Sequence, residues 1–257
     1  MNIFVTVAVL AAAALVSARP DLGVNPHVVG GTVAREGSFP FAVSLRDQFL
    51  NVAFCGGALI HKSYVLTAAH CVQTDPKEIR IGMGSVDLDK QTLVEVEKKF
   101  ANPKYKPNLG FEHDIALLKL KEPVTLSRTV QLIDFMYDKN LDDKEVTAMG
   151  WGRTGEHKPA STLLLHLNKT VMSNSECKER MGPGHGTIGE GNICFSGEPN
   201  YGVCFGDSGG PLLYVDNGKK YTVGVVSWGI PCALGKPDVY VRVSHYTDWI
   251  KKIIEDN

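Results

Sequence analysis

The chain is short of most features that would tie it to nucleic acid, metal or lipid. Its 27 Lys and Arg stand against 28 Asp and Glu, a net charge of -1 over 257 residues. No long-range field of that size draws in a polyanion, and no polybasic run alters this locally. There is no Cys-x-x-Cys and no paired Cys/His spacing, so the common structural zinc arrangements are set aside. The apolar run at residues 3–17 is fifteen residues long, short of the ~20 that a bilayer-spanning helix needs. Internal repeats are absent, low-complexity sequence occurs nowhere beyond that run, and helical periodicity is scarce until the C-terminal end.

What is present begins with the same apolar run, which ends at Val16-Ser17-Ala18 ahead of Arg19-Pro20. Its length and the small-residue end predict a secretory signal peptide, residues 1–18, with an N-terminal anchor as the alternative. The run lacks the usual preceding Lys or Arg, so only the α-amino group supplies positive charge there. Export would place the chain where thiols oxidise, and six cysteines, an even number, suit a disulfide framework. Counting alone allows about 15 pairings. A hydrophobic share of 44% and a charged share of 21% are ordinary for a folded globular chain, large enough here for one large domain or two small ones.

From residue 28 onward, short apolar runs alternate with Gly, Pro, Asn and Asp. Strands are expected at Phe41–Leu45, Gly57–Ile60, Glu78–Ile81, Leu93–Val96, Ala116–Leu120, Val146–Trp151, Thr162–Val171, Pro211–Val215, Thr222–Trp228 and Asp238–Val243, which reads as an all-β barrel or sandwich. Tyr246, Trp249, Ile250 and Ile253 recur at helical spacing after Ser244, predicting one amphipathic helix capped by that serine and packed on the last barrel.

Three segments carry chemistry. Gly206-Asp207-Ser208-Gly209-Gly210-Pro211 sets one serine among glycines, whose freedom lets a nucleophile and bare amides share a loop. Leu66-Thr67-Ala68-Ala69-His70-Cys71 and His113-Asp114-Ile115-Ala116-Leu117-Leu118 supply an imidazole and a carboxylate. In the chain order His, Asp, Ser these segments resemble the trypsin-like serine proteases of the chymotrypsin fold, over nearly all of the chain after about residue 28. The resemblance implies two six-stranded antiparallel β-barrels with a C-terminal α-helix, the first over about 28–132 and the second over about 133–257, with the site in the cleft between them. It implies Ser208 as nucleophile, His70 as general base and then acid, and Asp114 as the carboxylate that orients the imidazole. The amides of Gly206 and Ser208 would form an oxyanion hole, Ser227 would support Asp114, and Trp228 and Gly229 would line an extended substrate. The implied disulfides are Cys55 with Cys71, Cys177 with Cys194, and Cys204 with Cys232.

The resemblance also implies a precursor. Residues 19–27 would be an activation propeptide, and His27-Val28-Val29-Gly30-Gly31 fits the start of the mature chain. Cutting before Val28 would free an α-ammonium to pair with Asp207 and order the oxyanion loop; the pairing should persist at neutral pH and fade in strong alkali. The residue before the cut is His27, where the family usually has Arg or Lys, which argues against the common activator. Six residues before the nucleophile, Gly202 stands where trypsins carry an aspartate, followed by Val203, while Asp238 stands on the opposite pocket wall. That pair resembles the brachyurin type, the collagenolytic serine proteases of crabs and insects, with an uncharged base for Phe, Tyr, Leu or Met and a carboxylate within reach of Arg and Lys. A structural Asp238 pointing away from the pocket is the alternative. Phe205 and Phe111 match positions bordering the substrate.

The expected function is therefore a secreted, extracellular serine endopeptidase, made as a zymogen, chymotrypsin-like to broad in specificity. A non-catalytic homologue that binds proteins and a narrow regulatory protease remain as alternatives. Expected partners are protein or peptide substrates, an activating protease and protein inhibitors; a monomer is expected, with no nucleic acid, no membrane and no cofactor. Met83 replaces the glutamate that a calcium loop of this family would need, so no metal is expected. Asn168-Lys169-Thr170 is the one glycosylation sequon, which strand context is expected to leave unused.

Overall fold

A computed structural model describes residues 29–106, 111–230 and 232–257. The expected signal peptide and propeptide, with His27 and Val28, lie outside the described residues.

Short, mostly buried strands close two barrels. The first uses β2 (Ala42–Asp47), β3 (Ala53–His61), β4 (Tyr64–Thr67), β5 (Ile79–Met83), β6 (Thr92–Ala101) and β7 (Ala116–Leu120), in the closed order β2-β3-β4-β7-β6-β5. The second uses β8 (Glu145–Gly150), β9 (Leu165–Met172), β10 (Asn192–Phe195), β11 (Pro211–Asp216), β12 (Lys219–Gly229) and β13 (Asp238–Arg242). Its order β9-β10-β13-β12-β11-β8 closes where β8 pairs with β9. All pairings are antiparallel, and closure leaves no open sheet edge within either barrel. The chain is thus all-β with two six-stranded barrels and a C-terminal helix.

Two differences from the sequence reading bear on the site, the pairing of the opening residues and a helix after β9. The opening residues belong with the second barrel: β1 (Thr32–Val33) pairs with β9, and Val29 bridges Gly202. The chain crosses between barrels at residues 133–134, where the Ile133 amide donates to Leu59 and the Asp134 carbonyl accepts from Thr222. A helix α1 (Asn174–Met181) that the periodicity did not reveal follows β9. Ser173 caps it by accepting from the Glu176 amide at 3.2 Å, and Cys177 and Met181, one turn apart, face the interior.

The last helix is also placed differently. Ser244 does not cap it, because Val243–Tyr246 form a 3-10 turn that consumes the serine; α2 runs Thr247–Asp256 from Tyr246, which makes no side-chain cap. Its fully buried Ile250 joins the cluster that holds the first barrel's core, with Trp249, Ile253 and Ile254 packed against the same cluster. Lys98 of β6 donates to Asn257 at 3.2 Å. The 3-10 turn carries the chain off β13, so the apolar stripe meets the first barrel and clamps the two halves together. Among the described residues no helix is long and apolar enough to cross a membrane.

Candidate active site

Each barrel delivers its share of the site from a strand end. β4 leads into a 3-10 turn, Ala69–Val72, that carries His70, and a disulfide from Cys71 to Cys55 ties this turn to β3. Asp114 lies two residues before β7, after His113 with its backbone at φ 56°. This bend turns the carboxylate back beneath the imidazole. Asp114 Oδ1 accepts from the His70 amide at 2.8 Å, and Oδ2 lies 2.7 Å from His70 Nδ1. Ser227 of β12 donates its hydroxyl to the same Oδ2 at 2.7 Å. Asp114 is fully buried and holds three hydrogen bonds, so its charge is compensated where water cannot reach. With Nδ1 facing the carboxylate, Nε2 is left as the lone-pair nitrogen of a neutral ring.

The Ser208 loop is pressed between the barrels. The Ser208 carbonyl accepts from the Gly56 amide of β3 at 2.7 Å, and the Gly209 amide donates to Val226 of β12 at 2.8 Å. Gly209 has φ +76°, and a Cβ there would meet the Gly56 carbonyl oxygen at 2.5 Å. Only glycine permits that approach. Gly206, at φ +96°, would bring a Cβ to 3.0 Å from Gly152 Cα. The amides of Gly206 and Ser208 donate to no acceptor among the described residues. Ser208 and His70 line the same cleft. No hydrogen bond joins Ser208 Oγ to His70 Nε2 here; Cys71 Sγ lies 3.7 Å from that nitrogen.

Two cavities meet at these residues. One, of about 400 Å³, is lined by His70, Phe111, Val203, Cys204, Phe205, Ser208, Val226, Ser227, Trp228, Gly229 and Asp238. Asp238 lines this cavity and also begins β13. Gly202 sits behind it: a Cβ there would come within 2.8 Å of Asp238 Oδ2 and 3.3 Å of Ala233 Cβ. Phe111 stands edge-on to the His70 ring at 5.7 Å. Phe205 is half exposed beneath the Arg153 guanidinium, 5.6 Å away. A second cavity of about 650 Å³ runs to the other side of Ser208, along Leu50, Val52, Phe54 and Phe205.

Two carboxylates near the pocket differ from Asp114. Asp207, fully buried, accepts from the amides of Gly152 and Cys204 at 2.8 and 2.9 Å. Burial still pushes its carboxyl up to about 7 against these bonds. Asp238, 4% exposed, accepts from the Val203 amide at 3.3 Å. Burial pushes it up to about 6, with the Val203 bond and the charge of Lys169 pulling down. Gly152 is a site residue that the sequence reading missed. Its signal was the Gly150-Trp151-Gly152 pair of glycines, both pressed on Asp207, where a Cβ at Gly152 would stand 2.6 Å from Asp207 Cγ.

Cys177 joins Cys194 and Cys204 joins Cys232, with the second bond beside the pocket. Among the described residues Cys55, His70 and Cys71 form the one cluster of metal-ligating types, and the disulfide consumes both of its sulfurs. Asn168 is exposed on β9, with its amide donating to Glu145 at 3.2 Å.

Comparison with known proteins agrees with this geometry. The Trypsin family model matches residues 28–250. Trypsin-1 of Astacus astacus is 35% identical over 237 residues, covering 87% of this chain and 98% of its own. Chymotrypsin-2 of Vespa crabro is 35% identical over 228 residues, covering 88% and 99%. Vitamin K-dependent protein C of Oryctolagus cuniculus, a longer protein, is 35% identical over 251 residues, 91% of this chain and 53% of its own. A family match across most of the chain, on a frame of two barrels with His70, Asp114 and Ser208 at their seam, makes this chain a member of the trypsin family of serine proteases.

Proposed function

We propose that this serine endopeptidase is secreted as a precursor, is opened by cleavage before Val28, and then cuts extracellular proteins through an acyl-enzyme on Ser208. The observation that carries the reading is the Asp114 carboxylate holding both the backbone and Nδ1 of His70, with Ser227 closing its other lone pair. His70 Nε2 takes the Ser208 proton as the hydroxyl attacks the substrate carbonyl, and Asp114 stabilises the imidazolium that forms. The oxygen of the tetrahedral intermediate lies on the free amides of Gly206 and Ser208. His70 then returns the proton to the leaving amine, and water repeats the cycle to release the acyl group. Peptide substrate runs as a strand along Trp228 and Gly229.

The apolar pocket favours Phe, Tyr, Leu or Met before the scissile bond, and the wall carboxylate of Asp238 extends the choice toward Arg and Lys. Asp207 is the receiver for the new α-ammonium of Val28. Its carboxyl, raised to about 7 by burial, gains a cation when the terminus is freed, which stabilises the ordered oxyanion loop. The enzyme acts as a monomer and is met outside the cell by protein inhibitors as well as substrates.

Labelling with a fluorophosphonate tests this directly. A chain cut before Val28 is expected to take one label at Ser208, and the uncut chain far less. If the cut chain stays unlabelled while folded, the protein is a binding module on a protease frame.

A further inference from the structure

β9 carries a lysine into the interior of the second barrel. Leu165, Leu167, Lys169 and Val171 alternate inward along the strand, all buried, while Asn168 and Thr170 face out. Lys169 is 3% exposed, a rare fate for an ammonium. Its Nζ donates to the Ser196 carbonyl at 2.9 Å and to the Tyr201 carbonyl, and lies 4.7 Å from the centre of the Tyr201 ring. The third N–H has no acceptor among the described residues. Ser196 and Tyr201 flank the segment that ends at Gly202, so the lysine is stapled to the back of the pocket.

The strand register places this cation close to Asp238. Val171 pairs with Phe195, Phe195 with Asp238, and Asp238 with Gly229, so these four share one inward-facing row. Lys169 lies one rung below that row, on the same face. The charges act on each other: Lys169 lowers the Asp238 carboxyl, and Asp238 raises the ammonium that burial otherwise lowers. No salt bridge shorter than 4.0 Å joins them. The lysine therefore projects its charge through the pocket floor without occupying the carboxylate's place.

We propose that Lys169 is a positioning residue for substrate choice: its sealed ammonium offsets the charge of Asp238 and biases the pocket toward apolar side chains over Arg and Lys. The inference rests on the proposed protease reading and deepens it. An incoming guanidinium would meet one carboxylate in front and one ammonium behind, and like charges repel across a protein interior. An incoming Phe or Leu is indifferent to both. A pocket with Asp238 and no buried lysine would accept basic residues far more freely.

The test compares Lys169→Gln, which keeps donors for the two carbonyls, with Lys169→Met, which keeps only volume. Both are made in the full chain with an engineered cleavage sequence ahead of Val28, then cut and titrated with fluorophosphonate. The readout is the ratio of kcat/KM for paired peptides with Arg or Phe before the scissile bond, at about pH 8.5, above the Asp238 titration. We expect the Arg-to-Phe ratio to rise about tenfold in both variants. In an Asp238→Asn background the direct repulsion by the ammonium persists, so the same substitutions should raise the ratio there too, from a lower starting value. A ratio that moves less than about twofold in a fully titrated Gln variant overturns the inference while the protease reading stands. So does an equal rise for peptides carrying citrulline, the neutral isostere of Arg, which would mark a reshaped pocket and not a removed charge. If Met does not fold, Gln carries the test, and if neither folds, the lysine is structural and the proposal fails. Should the cut wild-type chain take no label, the protease reading falls first and the inference with it.

Discussion

The two barrels share a fold and differ in how they treat buried charge. The interior of the first is aliphatic, built on Leu45, Leu59, Val65, Leu66, Ile79, Ile81, Leu117 and Leu118. Its buried ions are held by several hydrogen bonds each: Arg46 donates to the carbonyls of Asn51 and Leu88 at 2.6–3.2 Å, and Asp114 takes three hydrogen bonds. The second barrel keeps Lys169, Asp207 and Asp238 around its pocket end. Asp207 and Asp238 are held well above the usual carboxylate range. A buried ion short of partners costs stability unless something arrives to meet it. On the proposed reading the first barrel holds the finished half of the site, and the second holds the half completed by a new chain terminus and by substrate.

Breaking the finished half should have the largest effect. Asp114→Asn removes the acceptor that fixes the His70 tautomer, and we expect kcat to fall about 10⁴-fold, a magnitude carried over from this family's triad. Single-turnover kinetics on the cut protein, with the fold checked by circular dichroism, would measure it. A fall below about tenfold would mean that the imidazole is oriented by something else. Next in size is the aliphatic core itself. Leu118 is fully buried, so Leu118→Ala should cost about 2–5 kcal/mol in urea unfolding, whereas removal of a charge from the second barrel should cost nothing comparable.

The sequence made the finished half easy to see and the waiting half hard. His70, Asp114 and Ser208 stand in short segments whose neighbours share their role, so local pattern was enough. The ten expected strands stand out as short apolar runs between turn residues, but β4 (Tyr64–Thr67) is only four residues long and follows β3 after two residues, too brief to stand out as a separate run. β10 (Asn192–Phe195) is as short. α1 carried a legible start in Ser173 and Glu176, three residues apart, yet its body is polar and too brief to show a stripe. Lys169 was visible only as the middle of a glycosylation sequon on the outer face. Reading β9 in alternation turns it inward, and a charge at an inward position was the available signal.

A smaller effect separates the two raised carboxylates from ordinary ones. A carboxyl whose folded value lies above its unfolded value of 3.8 keeps its proton in the native state over a range where the unfolded chain has lost it. Its contribution is neutral below that range, falls as pH rises through it, and is constant above. For Asp207 the window runs from 3.8 to about 7. In the uncut chain, Asp207→Asn should therefore become progressively more stable than wild type across that window, by a few kcal/mol at its upper end. In the cut chain the α-ammonium should remove most of that difference. Urea midpoints at four pH values would show either the widening gap or its absence, and parallel curves for the uncut pair would mean that Asp207 is already matched.

The smallest effect falls on Asp238, and its size follows from the company it keeps. Asparagine retains an oxygen for the Val203 amide and loses the buried charge, which is a gain above about 6, where the carboxyl would be ionised. It also deprives Lys169 of its nearby opposite charge, which is a loss. The two nearly cancel, so Asp238→Asn should change stability by only about 1 kcal/mol at alkaline pH and by less at about pH 4, where acid and amide are both neutral. Cleavage after Arg and Lys should fall at the same time, with cleavage after Phe retained. A destabilisation above about 2 kcal/mol at both pH values would show that the carboxyl is a structural keystone, as completely matched as Asp114, and the contrast between the barrels would lose half its content.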